Sequence, residues 1–388
     1  MKKRPAFLYV SVLCLAALII VAGTLPTVTA PAAPVEPQSP SAILIEAGTG
    51  KVLYEKNARE HRPIASMVKI MTLLLTFENI QRGELSLSDE ITVSENAASM
   101  GGSQAFLDAH ETYCVGELVK SAVVASANDS CVALAETVSG SVEGFVTEMN
   151  ERARELGMED TVFVNCTGLP AEGQYSCARD AAVMFRELIK HEEFFGYSGV
   201  WMFDFHHPSG RDTVLTNTNK LIRAYEGCDG GKTGFTNEAM YCLSATAMRN
   251  GMRLIGVITG APTAKKRNAE MCSLFDYGFA NWSVKQVIFK GAEIDGRVEV
   301  PSSKEGSTGV APASDGYYLS ERGKDEEVTL SYTLNEVGAL PLPRGSVVGK
   351  ITATAGGEIV AESDLVTTSD LTEKSYLDIV GDLLRGGR

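Results

Sequence analysis

Short apolar runs at Ser41–Glu46 and Lys51–Glu55 flank Ala-Gly-Thr-Gly, which predicts a β-hairpin closed by a glycine turn. A longer apolar stretch opens at Ser66 and continues through Ile70 and Leu73-Leu74-Leu75, predicting a helix to about Ile80 with its exit at Gly83 and Ser86. Residues 84–115 read as short strands and loops, with Gly101-Gly102-Ser103 as a flexible rim. From Val115 the apolar positions Leu118, Val119, Ala122 and Val123 recur at helical spacing, and this helix ends at Ser126-Ala127-Asn128-Asp129. A second helix follows at once with Val132, Leu134, Ala135 and Val138 and stops at Gly140. A third spans about 143–156, capped by Gly157. Residues 163–180 are irregular, and Arg179-Asp180 leads a further helix through Ile189.

Asp229–Phe235 is glycine-rich and suits an edge strand. The apolar runs Tyr241–Ala247 and Leu254–Thr259 are joined by Arg249-Asn250-Gly251, where Asn-Gly predicts a tight hairpin turn. A helix from about 265 to 281 completes this unit. Beyond Val284, short alternating strands (286–289, 297–300, 316–319, 327–334, 347–355 and 358–364) are separated by Gly, Pro, Ser and Asn, the pattern of a small all-β domain. No internal repeat is visible. In the last twenty residues Tyr376, Leu377, Val380, Leu383 and Leu384 form an apolar stripe at helical spacing. Such a stripe suits peripheral contact with a membrane surface. The acidic Asp370, Glu373, Asp378 and Asp382 outnumber Lys374, Arg385 and Arg388 beside it, so packing on the chain's own domain stays equally open.

The 388 residues suffice for a catalytic domain plus a smaller one, and the net charge of −14, with no basic run, argues against a nucleic-acid partner. Lys2-Lys3-Arg4 precede an apolar stretch from Phe7 to Val21, followed by small residues, as in a secretory signal peptide cleaved after Ala30 or Ala32. Pro31 disfavours the first. The rival reading is an uncleaved membrane anchor; either way the working part is exported and extracytoplasmic, at the cell wall or the outer face of the cytoplasmic membrane. The division expected is therefore 1–32 signal peptide, 33–40 Pro- and Ala-rich linker, 41–283 catalytic domain, 284–368 β-sandwich-like domain and 369–388 amphipathic helix. Cys14 leaves with the signal. The seven remaining cysteines cannot all pair, and neither C-x-x-C nor H-E-x-x-H occurs, so no metal or cofactor is expected. They read as small buried hydrophobes, with a Cys166–Cys177 bridge left open.

Chemistry concentrates at Ser66-Met-Val-Lys69. Residues three apart on a helix face lie about 5–6 Å apart at Cβ, so the lysine can reach the seryl hydroxyl. Unpaired backbone N–H groups at the helix mouth favour developing negative charge. Apolar walls would favour the neutral amine, a base for a serine nucleophile. Ser-x-x-Lys alone arises by chance. Here it is followed in order by Ser126-Ala-Asn128 and Lys232-Thr-Gly234. Taken singly, Ser126 and Asn128 would serve as helix caps and Lys232 as a solvated strand-end lysine. Together the three form the triple of penicillin-binding proteins and class A β-lactamases. Gly234 would let an extended substrate approach the strand closely, and Lys232 and Thr233 could bind its carboxylate. The backbone N–H groups of Ser66 and Phe235 would form an oxyanion hole, each donor contributing about 3 kcal/mol.

Over nearly the whole mature chain the sequence resembles the serine D-alanyl-D-alanine carboxypeptidases, the low-molecular-mass penicillin-binding proteins. The phrases Phe163-Val-Asn165, Tyr175-Ser-Cys-Ala-Arg-Asp180 and Met252-Arg-Leu-Ile255 also look like that family. The resemblance implies an α/β (α+β) fold, with an antiparallel sheet flanked by helices as in β-lactamases and DD-peptidases, plus the C-terminal β domain. It implies that Ser66 is acylated by the penultimate D-Ala of peptidoglycan stem peptides, or by β-lactams, while Lys69 takes its proton. Ser126 and Lys232 then relay protons to the leaving D-Ala and Asn128 holds the acyl amide. Arg267 looks like the arginine that binds the terminal carboxylate, its plain alternative being a solvated helix residue beside Lys265 and Lys266. Two positions depart from the family: Ala127 replaces a common glycine, and Phe235 replaces a common histidine, so only its backbone N–H carries over. A β-lactamase of the class A type would need Glu-x-x-Asn between the second and third motifs, and none occurs from Glu143 to Lys232. A non-catalytic wall-binding or drug-sensing module would not need Ser66 and Lys69 retained.

Overall fold

The computed structural model describes residues 35–324 and 326–385; the expected signal peptide, with Cys14, lies outside the described residues. Five antiparallel strands form the main sheet: β1 (Ser41–Glu46), β2 (Val52–Lys56), β3 (Cys228–Thr236), β4 (Met240–Arg249) and β5 (Met252–Ala261). Their spatial order is β2-β1-β5-β4-β3, which puts β3 on an edge and inserts the N-terminal strand beside the last one. Ile43 pairs with Val257 and Lys232 with Ser244. The β4–β5 turn is two residues, with Asn250 and Gly251 both at positive φ (49° and 78°), as a twisted hairpin of that length demands.

Alternation along the strands gives the sheet two apolar faces. Ile43, Ile45, Ile255 and Val257 point into a helical layer, whereas Ala42, Leu44, Leu254 and Ile258 meet Met271 and Phe275 on the opposite side. The helical layer contains α1 (Lys69–Gln81), α2 (Val115–Val124), α3 (Asn128–Ser139), α4 (Val142–Glu155) and α5 (Ala178–Leu188). Helix α1 is apolar nearly all round because it runs through the middle of this layer: Ile70, Met71, Leu73, Leu74 and Phe77 are all buried. Each such side chain contributes about 1.5–3 kcal/mol by leaving water. The opposite face is covered by α6 (Ala264–Asn281), whose first turn is capped by the Thr263 hydroxyl accepting from Lys266 N at 3.1 Å. Gly278 lets it lie close, since a Cβ there would sit 2.6 Å from Leu254 Cδ1.

Chain direction then changes without a loop. Strand β6 (Trp282–Ile288) pairs with β9 (Gly316–Glu321). A five-stranded sheet of order β7-β8-β12-β11-β10 is built from β7 (Arg297–Glu299), β8 (Ser307–Pro312), β10 (Val328–Leu334), β11 (Val347–Ala355) and β12 (Glu358–Thr367). A separate core containing Ile288, Val298, Val310, Ile351 and Leu365 joins these two sheets. Helix α7 (Tyr376–Arg385) follows.

Two local expectations are corrected, some strands were not foreseen, and the open Cys166–Cys177 alternative is decided. The helix expected to open at Ser66 opens instead as a 3-10 turn, Ala65–Val68, and becomes α-helical at Lys69, because Ala65 adopts a left-handed φ of 49°. Gly101–Ser103 is tied rather than loose: Gly101 O accepts from Asn128 Nδ2 and Ser103 O from Asn128 N, both at 2.7 Å. A hairpin of Met202–His206 and Asp212–Thr216, and strand β8, occupy stretches not read as strands. Cys166 and Cys177 are unbridged, each a buried free thiol.

Candidate active site

The turn carrying Ser66 is clamped by two glycines. A Cβ on Gly168 (φ +80°) would lie 2.0 Å from Ala65 O and 2.9 Å from Ser66 N, and one on Gly234 would lie 2.5 Å from Ile64 O and 3.2 Å from Ser66 N. The loop after Asn165 and the edge strand β3 therefore press on the serine from two sides, at a closeness only glycine permits. Asn165 Oδ1 accepts from Thr167 N and Gly168 N and so shapes that loop.

Lys69 is the first α-helical residue and is wholly buried. Its Nζ donates to Ser66 Oγ at 2.9 Å and to Thr167 O at 2.5 Å. Burial pushes its pKa below the ordinary lysine value, opposed by the nearby Cys131 and Cys166 thiols and by Asp129. Those thiols are pushed up to about 11 and about 12 by the same burial, so they stay protonated and inert.

Ser126 and Asn128 stand at the α2–α3 junction. Neither side chain caps α3, whose N-cap is Ala127 with no side-chain cap bond. Ser126 is held in the left-handed region at φ 63°, a strain of about 1–2 kcal/mol for a non-glycine residue. That backbone turns its hydroxyl toward β3, where Lys232 Nζ donates to Ser126 Oγ at 2.7 Å. Lys232 is 2 % exposed, not a solvated strand end. Burial pushes its pKa well below the ordinary value, and the charges of Lys69 and Arg267 push it further the same way. Asp129 fixes the junction, its carboxylate accepting from Ala105 N, Leu107 N and Ser130 N at 2.9–3.1 Å. The Asn128 Oδ1 atom is buried and has no hydrogen-bond partner among the described residues.

Ser66 and Ser126 open into a cleft of about 580 Å³ that Thr233, Gly234, Phe235 and Arg267 also line. Its ionisable lining includes the cations Lys220, Lys265 and Arg267 and no carboxylate, against a chain charge of −14. Arg267 is 5 % exposed rather than solvated, and it donates to Cys242 O and to Asn268 Oδ1. Its partners among the described residues are the Asn268 amide and Cys242 O rather than a carboxylate, and burial lowers its pKa to about 10. Thr233 Oγ1 donates to Thr218 Oγ1 at 2.8 Å. Phe235 is half exposed and packs on Tyr241, ring centroids 4.4 Å apart. The structure thus brings Ser66, Lys69, Ser126, Asn128, Lys232, Thr233, Gly234, Phe235 and Arg267 around one region. Sequence reasoning missed Thr218, Lys220 and Gly168; the first two follow a strand hairpin that was not foreseen.

Away from the cleft, Asp160, Cys177 and Asp180 bring potential metal-ligand atoms within 4.8 Å of one another. Each is already engaged: Asp160 by Arg59 and His61, Asp180 by Thr161, and the Cys177 sulfur by Asp180 N.

A serine turn with a buried lysine at its foot, a second serine–lysine pair and a glycine-bearing sheet edge define the class of penicillin-binding serine acyl-transfer enzymes. Residues 27–263 match the family described as D-alanyl-D-alanine carboxypeptidase (peptidase S11), and residues 282–373 match the penicillin-binding protein 5 C-terminal domain. D-alanyl-D-alanine carboxypeptidase DacF of Bacillus subtilis is 39 % identical over 88 % of this chain and 87 % of its own. DacC of Escherichia coli is 33 % identical over 88 % and 86 %. The crystal structure of penicillin-binding protein 5 from Haemophilus influenzae superposes with a TM-score of 0.71 at 31 % identity, covering 88 % of this chain and all of that one. The chain belongs to the D-alanyl-D-alanine carboxypeptidase family.

Proposed function

We propose that Ser66 is the nucleophile of a D-Ala-D-Ala carboxypeptidase that trims peptidoglycan stem peptides and is acylated by β-lactams. The observation that carries this is the 2.9 Å Lys69–Ser66 hydrogen bond with the amine fully buried. A neutral Lys69 takes the hydroxyl proton as Oγ attacks the penultimate D-Ala carbonyl. The oxyanion that forms is met by the backbone N–H groups of Ser66 and Phe235. The Ser126–Lys232 pair passes a proton to the leaving D-Ala amine, and water then attacks the ester to free Ser66. Arg267, buried without a counter-ion, and Thr233 hold the terminal carboxylate, which supplies the missing negative charge. The unpartnered Asn128 Oδ1 accepts from the acyl-side amide N–H.

In the same proposal, residues 41–283 form the catalytic unit and 284–368 a spacer between it and the cell surface. The protein is exported, and α7 touches the outer face of the membrane. Tyr376, Leu377 and Ile379 support this, being 80 %, 79 % and 47 % exposed instead of packed on the chain. Among the described residues no helix is long and apolar enough to cross a membrane. The test is intact mass of residues 33–388 after mixing with benzylpenicillin, beside Ser66→Ala. A persistent penicilloyl adduct on wild type alone is expected; rapid drug hydrolysis without adduct would indicate a β-lactamase, and intact drug without adduct a binding module.

A further inference from the structure

The imidazole of His207 takes no part in the proposed reaction, yet its side chain is wholly buried at the tip of the Met202–His206/Asp212–Thr216 hairpin. One ring nitrogen, Nε2, lies 2.9 Å from Thr213 Oγ1. The other, Nδ1, lies 3.1 Å from Tyr113 Oη and 3.2 Å from Arg211 Nη2. A guanidinium only donates, so Nδ1 is an acceptor and the ring proton sits on Nε2, donated to Thr213. Tyr113 Oη accepts from Asp108 N at 3.0 Å, which leaves its own proton for Nδ1. The same Arg211 nitrogen donates to Phe106 O at 2.6 Å and to the Asp108 carboxylate at 3.2 Å.

This joint is one end of a run of contacts that reaches the cleft. Phe106 is held left-handed at φ 64°, between Ala105 and Leu107, whose N–H groups donate to Asp129. Just upstream, Ser103 O accepts from Asn128 N and Gly101 O from Asn128 Nδ2. With Nδ2 engaged there, Oδ1 is the free end of that amide, buried and without a partner among the described residues. Segment 101–108 is thus pinned by Arg211 at one end and orients the Asn128 amide at the other. We propose that His207 is a positioning residue: its acceptor nitrogen holds Arg211 and Tyr113 against segment 101–108, and that segment aims Asn128 Oδ1 at the acyl-side amide of the ligand. This inference rests on the carboxypeptidase reading above and on the role given there to Asn128.

A second proton on the ring goes to Nδ1 and sets an N–H against guanidinium N–H groups, so the joint opens in acid. The groups facing the ring are Asp108, 3.7 Å from Nδ1, and Tyr113 from the stretch before α2, Arg211 and Asp212 from the hairpin, and Asp129 from α3. Burial, the largest influence, and Arg211 oppose the second proton; the three carboxylates favour it but do not prevail, and the pKa is held below the usual 6.5. The contact is therefore complete above that lowered pKa and lost as pH falls through it.

The test is the ratio of acylation rate constants for benzylpenicillin and for penicillanic acid, which lacks the C6 acylamino group, read by intact mass against time across pH. Both β-lactams need neutral Lys69, so its titration cancels in the ratio, and what is left reports the acyl-amide contact. On wild type the ratio should fall about 5-fold as pH drops below the usual histidine value, toward a floor that Asn128→Ala shows at every pH. His207→Asn places an oxygen acceptor near the position of Nδ1 and takes up no proton, so it should hold the high ratio into acid. His207→Phe, with a ring but no acceptor, should sit near the floor throughout. Arg211→Met, at a partly exposed position, should do the same and carries the test if the phenylalanine variant misfolds. A wild-type ratio that is flat in pH above the Asn128→Ala floor, or a wild-type ratio retained in folded Arg211→Met, would overturn the positioning role and leave the carboxypeptidase reading standing. An Asn128→Ala ratio equal to that of wild type would overturn the role of Asn128 and this inference with it. No acylation of wild type by either compound would remove the carboxypeptidase reading itself, and the inference that rests on it.

Discussion

Replacing Gly168 by alanine probes how tightly Ser66, the proposed nucleophile, is held. The new Cβ would begin 2.0 Å from Ala65 O, 2.4 Å from Ala65 C and 2.9 Å from Ser66 N. Ordinary carbon–oxygen contact is about 3.4 Å, so roughly 1.4 Å must open between two backbone segments in a close-packed region. The left-handed φ adds about 1–2 kcal/mol of its own. Ala65 cannot yield easily, being itself left-handed and the first residue of the 3-10 turn. Ser66 therefore shifts, and a misplacement of about 1 Å at a reacting atom costs about 100-fold in rate. Gly168→Ala should lose about two orders of magnitude in penicillin acylation, read by intact mass against time, with a lowered thermal midpoint. Gly173→Ala is the control: its φ is also positive (+82°), but nothing lies within 4 Å of the added Cβ. It should lose stability from backbone strain and keep the acylation rate. A folded Gly168→Ala protein acylating within about 3-fold of wild type would refute the clamp, and with it the use of the 1 Å rule here.

Two further outcomes follow from the charges at the site. Burial favours neutral Lys69, and only the neutral amine can accept the Ser66 proton. Acylation should therefore fall as pH drops through a pKa below the ordinary lysine value of about 10.4, and plateau above it; a pH–rate profile with its limb at that ordinary value would contradict the role given to burial. Arg267→Gln removes a buried cation that lacks a carboxylate partner, so kcat/KM for a D-Ala-D-Ala peptide should drop about 30-fold, roughly 2 kcal/mol, while the melting temperature holds or rises; turnover within 2-fold of wild type would exclude it as the carboxylate anchor.

Much of the architecture was legible because periodicity reports which side chains face a core. The hairpin at Asn250-Gly251, the α2–α3 junction and the edge position of Asp229–Phe235 all follow from local chemistry. The three Ser/Lys phrases were recognisable as a triple; the second and third occupy the helix junction and edge strand expected for them, whereas Ser66 lies in a 3-10 turn ahead of the expected α-helix. What escaped depends on contacts between distant segments. Ala65 has no local reason to be left-handed; its φ is imposed where Gly168 and Gly234 close on the same turn. Asn165 was visible as part of a familiar phrase, but its task of shaping the loop that ends at Gly168 needs the third dimension. Thr218 was invisible because the hairpin before it, with Phe203 and Phe205 on alternate positions, was not read as strand. Burial of Arg267 could not be told from its neighbours Lys265 and Lys266, since one helix turn presents residues to both cleft and solvent.

The placing of β1 between β2 and β5 has a consequence for synthesis and refolding. The centre of the sheet cannot close until residue 261 is available, so the earliest strand waits for the latest. The lysine contacts close loops of the same kind: Lys69 reaches Thr167 across 98 residues, and Lys232 reaches Ser126 across 106. Contacts of such separation form late, after the loop entropy has been overcome. No N-terminal fragment that stops short of β5 completes the sheet on which the Ser66 turn rests, and a chain whose catalytic unit is unfinished should be silent toward the drug. A covalent β-lactam label would accordingly count molecules whose catalytic unit has closed, making the drug a gauge of that unit's folding, read one acyl group at a time.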